Sequence, residues 1–458
     1  MRLSIGHSPD IVHGLCPQNH PAMLRKFPRY ILPLALGLTL TACNDDSFEE
    51  PATGTELPMP IGNRTVLVYV SAQNSLGHNR FHLSDSLELA QGAHYIKDSD
   101  RLLVYLDDGD NPRIYRFANR QTPAELVKQW DTDLNSSDPK TLEEVLTWTR
   151  SNFPSQEYGL VMWSHSDGWL PATNKNYSPT SWAQPYSFGI DVGPDGNMGY
   201  DEDSEGYLGA QMDLKDMAAA IRRSGILFHY IFFDSCLMQT LESSYDLREA
   251  TDFVIAGPMQ IPGCGANYTH LLKKGLFTYA EKDIVETYYQ DAYEGFTDPS
   301  SLYYDYGIIL ASIRTYHLDY LAQVLAEGLK ESALTNHQSV DMEGVQQYQA
   351  YCSNYFFRPH HYDAAPALQR ILKPEHWNKA KQVLDNAIVA KAATASFWMG
   401  PYAHSMNAVD LDTFSGIAMF VPQQIYTTNA SRCLYGDLNQ AFRQTDWYKA
   451  AGWAQTGW

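Results

Sequence analysis

The sequence predicts an α/β fold with a mainly parallel sheet flanked by helices. After residue 64, short apolar runs alternate with segments that have helical spacing. The apolar runs are almost continuously hydrophobic, which is typical of central strands covered on both faces. The predicted strands are 66–72, 101–108, 158–165, 228–235, 252–258, 305–315 and 414–422. The predicted helices are 84–96, 139–151, 213–223, 237–249, 318–334 and 374–394.

Composition limits the classes of function. The 458 residues include 53 acidic against 33 basic side chains, for a formal net charge of −20. This acidity disfavours nucleic acid as a partner, because polyphosphate is repelled unless a protein has a concentrated basic face. Six cysteines are too few for a disulfide scaffold over this length, and 44% apolar residues can build a large core.

The N-terminus predicts export and a lipid anchor. A short apolar run at 31–42 follows three basic residues, which is typical of a signal peptide, here residues 1–42 with Met23 as the expected true start. The run ends in Leu-Thr-Ala before Cys43, resembling a bacterial lipobox. A lipidated Cys43 would hold the protein on a membrane of the cell envelope through a flexible tether, 43–63, without a transmembrane helix.

The rest of the chain is predicted to form one catalytic unit with an attached region. Residues 64–315 carry the regular alternation of strands and helices. From 316 to 458 the pattern becomes helical and mixed, and we expect this region to pack on the core.

Two strand ends carry residues with potential chemistry. His165 ends the strand 158–165, and Cys236 follows the strand 228–235 where a helix is predicted to start. Functional groups of open α/β sheets collect at the carboxyl ends of strands. A helix N-terminus favours a thiolate, and a nearby imidazole can carry the proton of the thiol. Each residue alone is more typical of a structural role, so the prediction depends on the pair.

Five segments together resemble the clostripain family of cysteine peptidases, whose members share a caspase-like fold. These segments are WSHSDGW (163–169), FFDSCLM (232–238), MQIPGCGANY (259–268), FSGIAMFVP (414–422) and TDWYKAAGW (445–453). They occur in the order that the family shows and extend over most of residues 64–453. The resemblance implies a caspase-like α/β fold and a cysteine endopeptidase that acts on peptides or proteins.

The resemblance also implies roles for single residues. His165 matches the catalytic histidine of the family, and Cys236 matches its nucleophile. The backbone N–H groups of Ser166 and Cys236 would form the oxyanion hole. Asp234 matches an acid of the pocket for a basic side chain, which implies cleavage after Arg or Lys; a carboxylate capping the next helix is the structural alternative.

Three positions depart from the family pattern. Ser166 replaces a glycine, Ser235 replaces an alanine, and the segment at Met259-Gln260 lacks the usual acid. A serine in a turn with positive φ would be strained. Two alternatives therefore stay open: an inactive binding lipoprotein on the same fold, and another thiol-dependent amidase or transpeptidase.

A calcium loop is the remaining candidate site. Asp191, Asp195 and Glu202 match a calcium-binding loop in part, although a glycine occupies the third position. An acidic surface loop is the preferred interpretation. Calcium dependence in some family members is the reason to retain a calcium site as the alternative. No redox or organic cofactor is implied.

Overall fold

A computed structural model describes most of the chain after the predicted signal peptide and tether. The described residues are 62–119, 121–171, 188–193, 200–201, 206–207, 209–350, 359–399, 406–427 and 437–458. Cys43, Asp195 and Glu202 lie outside these ranges.

The described strands and helices follow the chain in a largely alternating order. The strands are β1 (Gly62–Ser71), β2 (Arg101–Asp107), β3 (Arg113–Ala118), β4 (Gln121–Gln129), β5 (Ser155–Trp163), β6 (Phe188–Asp191), β7 (Tyr200–Asp201), β8 (Gly206–Tyr207), β9 (Ala210–Met212), β10 (Phe228–Asp234), β11 (Thr251–Ala256), β12 (Ile309–Arg314), β13 (Gln347–Ala350), β14 (Pro359–Asp363), β15 (Ile388–Ala393), β16 (Ser396–Trp398), β17 (Met406–Ala408) and β18 (Ala418–Met419). The helices are α1 (Ser75–His78), α2 (Phe81–Gly92), α3 (Pro139–Asn152), α4 (Leu214–Arg223), α5 (Leu241–Asp246), α6 (Tyr268–Lys273), α7 (Ala280–Phe296), α8 (Leu318–Gly328), α9 (Ala364–Ile371), α10 (Pro374–Ala387), α11 (Leu438–Arg443) and α12 (Asp446–Ala450).

A nine-stranded sheet organises the fold, with strand order β15-β12-β11-β10-β5-β1-β2-β3-β4. The central strands β2, β1, β5, β10 and β11 are parallel to one another. Antiparallel strands extend both edges, β3 and β4 on one side and β12 and β15 on the other. The prediction of an α/β fold with a mainly parallel central sheet is confirmed.

Both faces of the central strands are covered. Val161 and Phe232 pack in one apolar cluster with Leu271 of α6. Leu160 and Ile231, which alternate with them and point to the opposite face, are also fully buried. This double burial explains why the strands are hydrophobic at nearly every position.

The structure corrects the predicted elements at several places. The helix predicted at 374–394 ends at Ala387, and the strand β15 follows it directly. β15 pairs with β12, so the hydrogen bonds of a sheet edge decide the conformation of a segment whose own sequence also suits a helix. The apolar run 414–422 contributes only the two-residue strand β18. β3 and β4 were not predicted, because polar residues interrupt their apolar ones and neither strand forms a continuous apolar run.

Candidate active site

The two predicted reactive residues meet at one edge of the sheet. β5 and β10 are adjacent parallel strands in which Trp163 is paired with Asp234. His165 and Cys236 each follow this matched pair by two residues. Neighbouring strands lie about 4.8 Å apart, and both residues line one cavity of about 320 Å³ together with Gln260. A larger open cleft of about 850 Å³ lies beside α7 and β15 and contains neither residue.

A sharp turn, rather than a helix, follows the cysteine. α5 begins only at Leu241 and is capped by the side chain of Thr240. Between them the chain turns at Leu237, whose φ is +63°, and the Leu237 N–H donates to the Met259 carbonyl at 2.9 Å. The prediction that Cys236 starts a helix is therefore wrong, and the helix dipole does not act on this thiol. The same cap shows that Asp234 does not cap the following helix.

Cys236 is half-buried, and its sulfur lies beside the backbone of Ile261. The backbone N–H of Ile261 lies 3.3 Å from Sγ, and the Ile261 carbonyl lies 3.9 Å from it. Burial raises the pKa of the Cys236 thiol to about 12, and the nearby carboxylates of Asp167 and Asp234 act in the same direction. Because no helix begins at Cys236, the expected support of a thiolate by a helix N-terminus is missing, and desolvation favours the thiol.

His165 is a neutral imidazole at neutral pH. It is half-buried, and burial lowers its pKa to about 4. Its Nε2 lies 2.7 Å from the Oγ of Ser75, at the start of α1. The site therefore combines an uncharged thiol with an uncharged imidazole.

Ser166 connects the two turns of the site. Its hydroxyl donates to the Cys236 carbonyl at 2.5 Å. The positive φ of the histidine turn lies at Gly168, at +67°, so Ser166 does not have the backbone conformation that would strain a serine. A Cβ on Gly168 would lie 2.6 Å from the Leu237 carbonyl oxygen, which shows how closely the two turns pack.

Asp234 lies in the cavity wall as a buried carboxyl. It accepts hydrogen bonds from the Ala266 N–H at 3.1 and 3.2 Å and from the Tyr268 hydroxyl at 3.0 Å. A Cβ on Gly265 would lie 2.6 Å from the carboxyl oxygen Oδ2, so this position needs glycine. Burial raises the pKa of Asp234 to about 6 although these donors oppose the shift.

Two further acids, the buried Asp85 and the half-buried Glu88, lie near Asp234. Both come from α2. The Trp163 side chain hydrogen-bonds to Asp85, and burial, Asp234 and Glu88 together raise the pKa of Asp85 well above its usual range. Burial raises the pKa of Glu88 to about 7, although its Oε2 accepts the Tyr268 N–H at 2.8 Å. Among the described residues, Oδ2 of Asp85 is buried with no hydrogen-bond partner.

Asp85, Glu88 and Ser75 were not predicted from the sequence as residues of the site. The buried residues of α2 are His82, Asp85, Leu89 and Gly92, which share one helical face. An acidic residue on the apolar face of a predicted helix could therefore have indicated that Asp85 is buried. Ser75 gave no comparable signal, because a serine after a strand is typical of any turn.

The calcium candidate is described only in part. Asp191 is buried in β6, where its carboxylate accepts from the Ser136 N–H at 2.5 Å, the Ser136 hydroxyl at 2.9 Å and the Gly193 N–H at 2.8 Å. Asp195 and Glu202 lie outside the described residues. Within the described part of the chain, no group of three His, Cys, Asp or Glu residues is placed to hold a metal ion.

Comparison with known proteins identifies relatives of the whole folded region. A family model described as the clostripain family, peptidase C11, matches residues 68–458. The chain is also similar to a secreted C11 cysteine protease from Bacteroides thetaiotaomicron, solved in complex with an irreversible peptide inhibitor. The two are 27% identical, the match covers 86% of this chain and 99% of that one, and the TM-score is 0.67. A comparison with curated proteins found no match.

Two more solved structures share the fold. An inactive zymogen C11 protease from Parabacteroides distasonis is 22% identical, with 86% of this chain and 99% of that chain covered and a TM-score of 0.65. The secreted protease iotapain from Bacteroides thetaiotaomicron is 19% identical, with 86% and 100% covered and a TM-score of 0.65. In the described part of this chain, every helix is too short or too polar to cross a bilayer.

The buried acids predict how stability depends on pH. Their folded pKa values, about 6 for Asp234 and about 7 for Glu88, lie above the unfolded values of about 4. The folded state therefore binds these protons more tightly, and the free energy of unfolding falls as the pH rises from about 4 to 7. We expect Asp85→Asn, which removes one such acid, to raise the melting temperature at pH 8 by about 2 °C or more and to change it little at pH 4.

The matched control is Asp98→Asn, which alters an exposed acid that follows the same helix. Thermal unfolding of the three proteins between pH 4 and 8 checks the prediction. Equal pH slopes for wild type and Asp85→Asn would contradict it.

Proposed function

Because the chain belongs to the clostripain family of cysteine peptidases, we propose that it hydrolyses peptide bonds with Cys236 as the nucleophile and His165 as the proton carrier. One observation carries the assignment. The paired strand ends of β5 and β10 bring a thiol and an imidazole into the same cavity. The related protease that was solved with a peptide inhibitor supports a peptide as the substrate.

Acylation begins from the two neutral groups. As the Cys236 sulfur attacks the peptide carbonyl carbon, the thiol proton moves to His165 and the carbonyl electron pair moves to the oxygen. We assign the backbone N–H groups of Ser166 and Cys236 to this oxyanion. When the intermediate collapses, the C–N bond breaks and His165 gives its proton to the leaving amine.

Deacylation repeats the sequence with water. His165 takes a proton from a water molecule, whose oxygen attacks the thioester carbon, and the C–S bond then breaks. The proton returns to the sulfur, so the free acid leaves and the resting thiol is restored. No cofactor takes part in either half of this mechanism.

The raised pKa of Cys236 and the lowered pKa of His165 determine when the proton moves. A stable thiolate–imidazolium pair is unfavourable in the resting site, because burial disfavours both charges. Proton transfer is therefore coupled to the attack, when the negative charge passes from the sulfur to an oxygen held by N–H donors.

We further propose that the cavity binds an arginine or lysine side chain before the cleaved bond. Asp234 lines the cavity, and two further carboxyls, Asp85 and Glu88, lie close enough for their charges to interact with it. A guanidinium or ammonium group would offset this buried acidity, and binding it would lower the pKa values of the acids. With glutamine at position 260, the carboxyls among the residues that line the cavity are those of Asp167 and Asp234.

Removal of the nucleophile tests the mechanism. We expect Cys236→Ala to lower kcat/KM by at least about 1,000-fold on peptide reporters that end in Arg or Lys, and His165→Ala to do the same. Cys264→Ala is the matched control, because its thiol is also half-buried but does not line the cavity.

The outcomes separate the alternatives. Turnover that survives Cys236→Ala would exclude Cys236 as the nucleophile. A wild type that is inactive on reporters ending in Arg, Lys, Asp or Asn, and whose Cys236 resists thiol-directed probes, would favour the inactive binding lipoprotein.

Asp234→Asn tests the pocket. The amide keeps the shape of the side chain but cannot carry its charge, so we expect the preference for an arginine reporter over its neutral citrulline counterpart to fall by about 100-fold. Steady-state kinetics on the two reporters measures this ratio, and the citrulline reporter controls for general damage to the site. An unchanged ratio of the two kcat/KM values would show that a group other than Asp234 recognises the basic side chain.

The membrane anchor is proposed from the sequence motif alone. We propose that Cys43 carries acyl chains and fixes the protease to a membrane of the cell envelope, whereas two of the related proteases are secreted. We expect wild type expressed in a bacterial host to incorporate labelled palmitate and to partition into the detergent phase. Cys43→Ala should lose both properties, and equal partition of the two proteins would refute the anchor.

A further inference from the structure

The ring of His165 contacts Ser75, a residue with no assigned role. The Oγ of Ser75 lies 2.7 Å from Nε2 of the imidazole, which is a short hydrogen bond. Ser75 is the first residue of α1, four residues after Ser71 at the end of β1, and its neighbour Leu76 lines the cavity. The serine therefore lies at the same carboxyl edge of the sheet as His165 and Cys236.

The backbone around Ser75 is held in place by Asn74. The amide Nδ2 of Asn74 donates to the Ser71 carbonyl at 2.9 Å, the Ser164 hydroxyl at 3.2 Å and the Ile190 carbonyl at 3.0 Å. These three partners belong to β1, to the turn after β5 and to β6. Asn74 also caps α1 through its side-chain oxygen. Ser75 is thus fixed relative to the turn that carries His165, although neither residue is near the other in sequence.

We propose that Ser75 is a positioning residue for His165. This inference rests on the proposed function of the dyad. The Ser75 hydroxyl accepts a hydrogen bond from Nε2–H, which selects the tautomer in which Nδ1 is the basic nitrogen. When Nδ1 takes the thiol proton, the same hydroxyl continues to accept from Nε2–H and stabilises the imidazolium that forms.

A hydroxyl suits a site in which both reacting groups are neutral. A carboxylate at this position would add a buried charge and raise the pKa of the imidazole. Ser75 instead orients the ring without adding a charge, so the basicity of His165 remains governed by its burial. Removing the hydroxyl should affect the proton-transfer step more than substrate binding.

The test compares Ser75→Thr with Ser75→Val, two side chains of nearly equal shape that differ in the hydroxyl. We expect kcat of Ser75→Thr to stay within about threefold of wild type, and kcat of Ser75→Val to fall at least about tenfold below that of Ser75→Thr, with KM changed less than about twofold. Ser75→Ala should behave like Ser75→Val. The matched control is Ser86→Ala in α2, where the lost hydroxyl donates to the His82 carbonyl at 2.7 Å.

A second measurement does not depend on turnover. The alkylation rate of Cys236 by iodoacetamide between pH 5 and 9 reports how well His165 takes the thiol proton. We expect it to be slower in Ser75→Val than in Ser75→Thr, with wild-type behaviour in Ser86→Ala.

Equal kcat and equal alkylation rates for the Thr and Val variants would overturn the role of Ser75. If wild type cleaves no peptide reporter, the proposed function fails, and the alkylation rates still decide whether Ser75 positions His165. Because Thr and Val have similar shapes, a shared loss of folding in both variants would show that the hydrogen bond is not what the position requires, and would also count against the proposal.

Discussion

The parallel pairing of β5 with β10 is the constraint on which the candidate site depends. Each strand is buried on both faces, so its register is fixed by packing as well as by backbone hydrogen bonds. Pairing of Trp163 with Asp234 sets the two following turns side by side. A slip of one residue would shift the polar strand ends and the apolar interior residues at the same time. The loss of core packing would therefore oppose such a slip. The sheet thus provides the precision that two flexible loops alone could not provide.

Burial is the second physical cause, and at Asp234, Cys236 and His165 it acts in the same sense. It disfavours charge, so it raises the pKa values of the acids and the thiol and lowers that of the imidazole. At neutral pH this favours an uncharged thiol beside an uncharged imidazole, and the hydrogen bonds to these two groups involve the Ile261 N–H and the Ser75 hydroxyl. Such an arrangement is ready for charge that appears only during reaction, because its dipoles are already oriented.

The parts of the fold that depend on continuous burial could be predicted from the sequence. The prediction failed for segments whose conformation is decided by tertiary contacts. The central strands were predicted because almost every residue of them is apolar. β15 was not, since Ile388-Val-Ala-Lys-Ala-Ala393 suits a helix as well as a strand, and only the open edge of β12 decides between them. In the site, His165 and Cys236 could be found as polar residues at strand ends. The left-handed backbone of Leu237 could not, because leucine rarely adopts it, and that one residue moves the helix away from the thiol.

The position of β15 also determines when the sheet can be completed during synthesis. β12 is bonded to β11 on one side and to β15 on the other, yet β15 leaves the ribosome long after the strands that bear His165 and Cys236. Until then β12 is an edge strand with unpaired backbone groups that can pair with another chain. The late C-terminal segment therefore acts as a cover against aggregation, and a chain truncated before residue 388 would lack it even though both reactive residues were present.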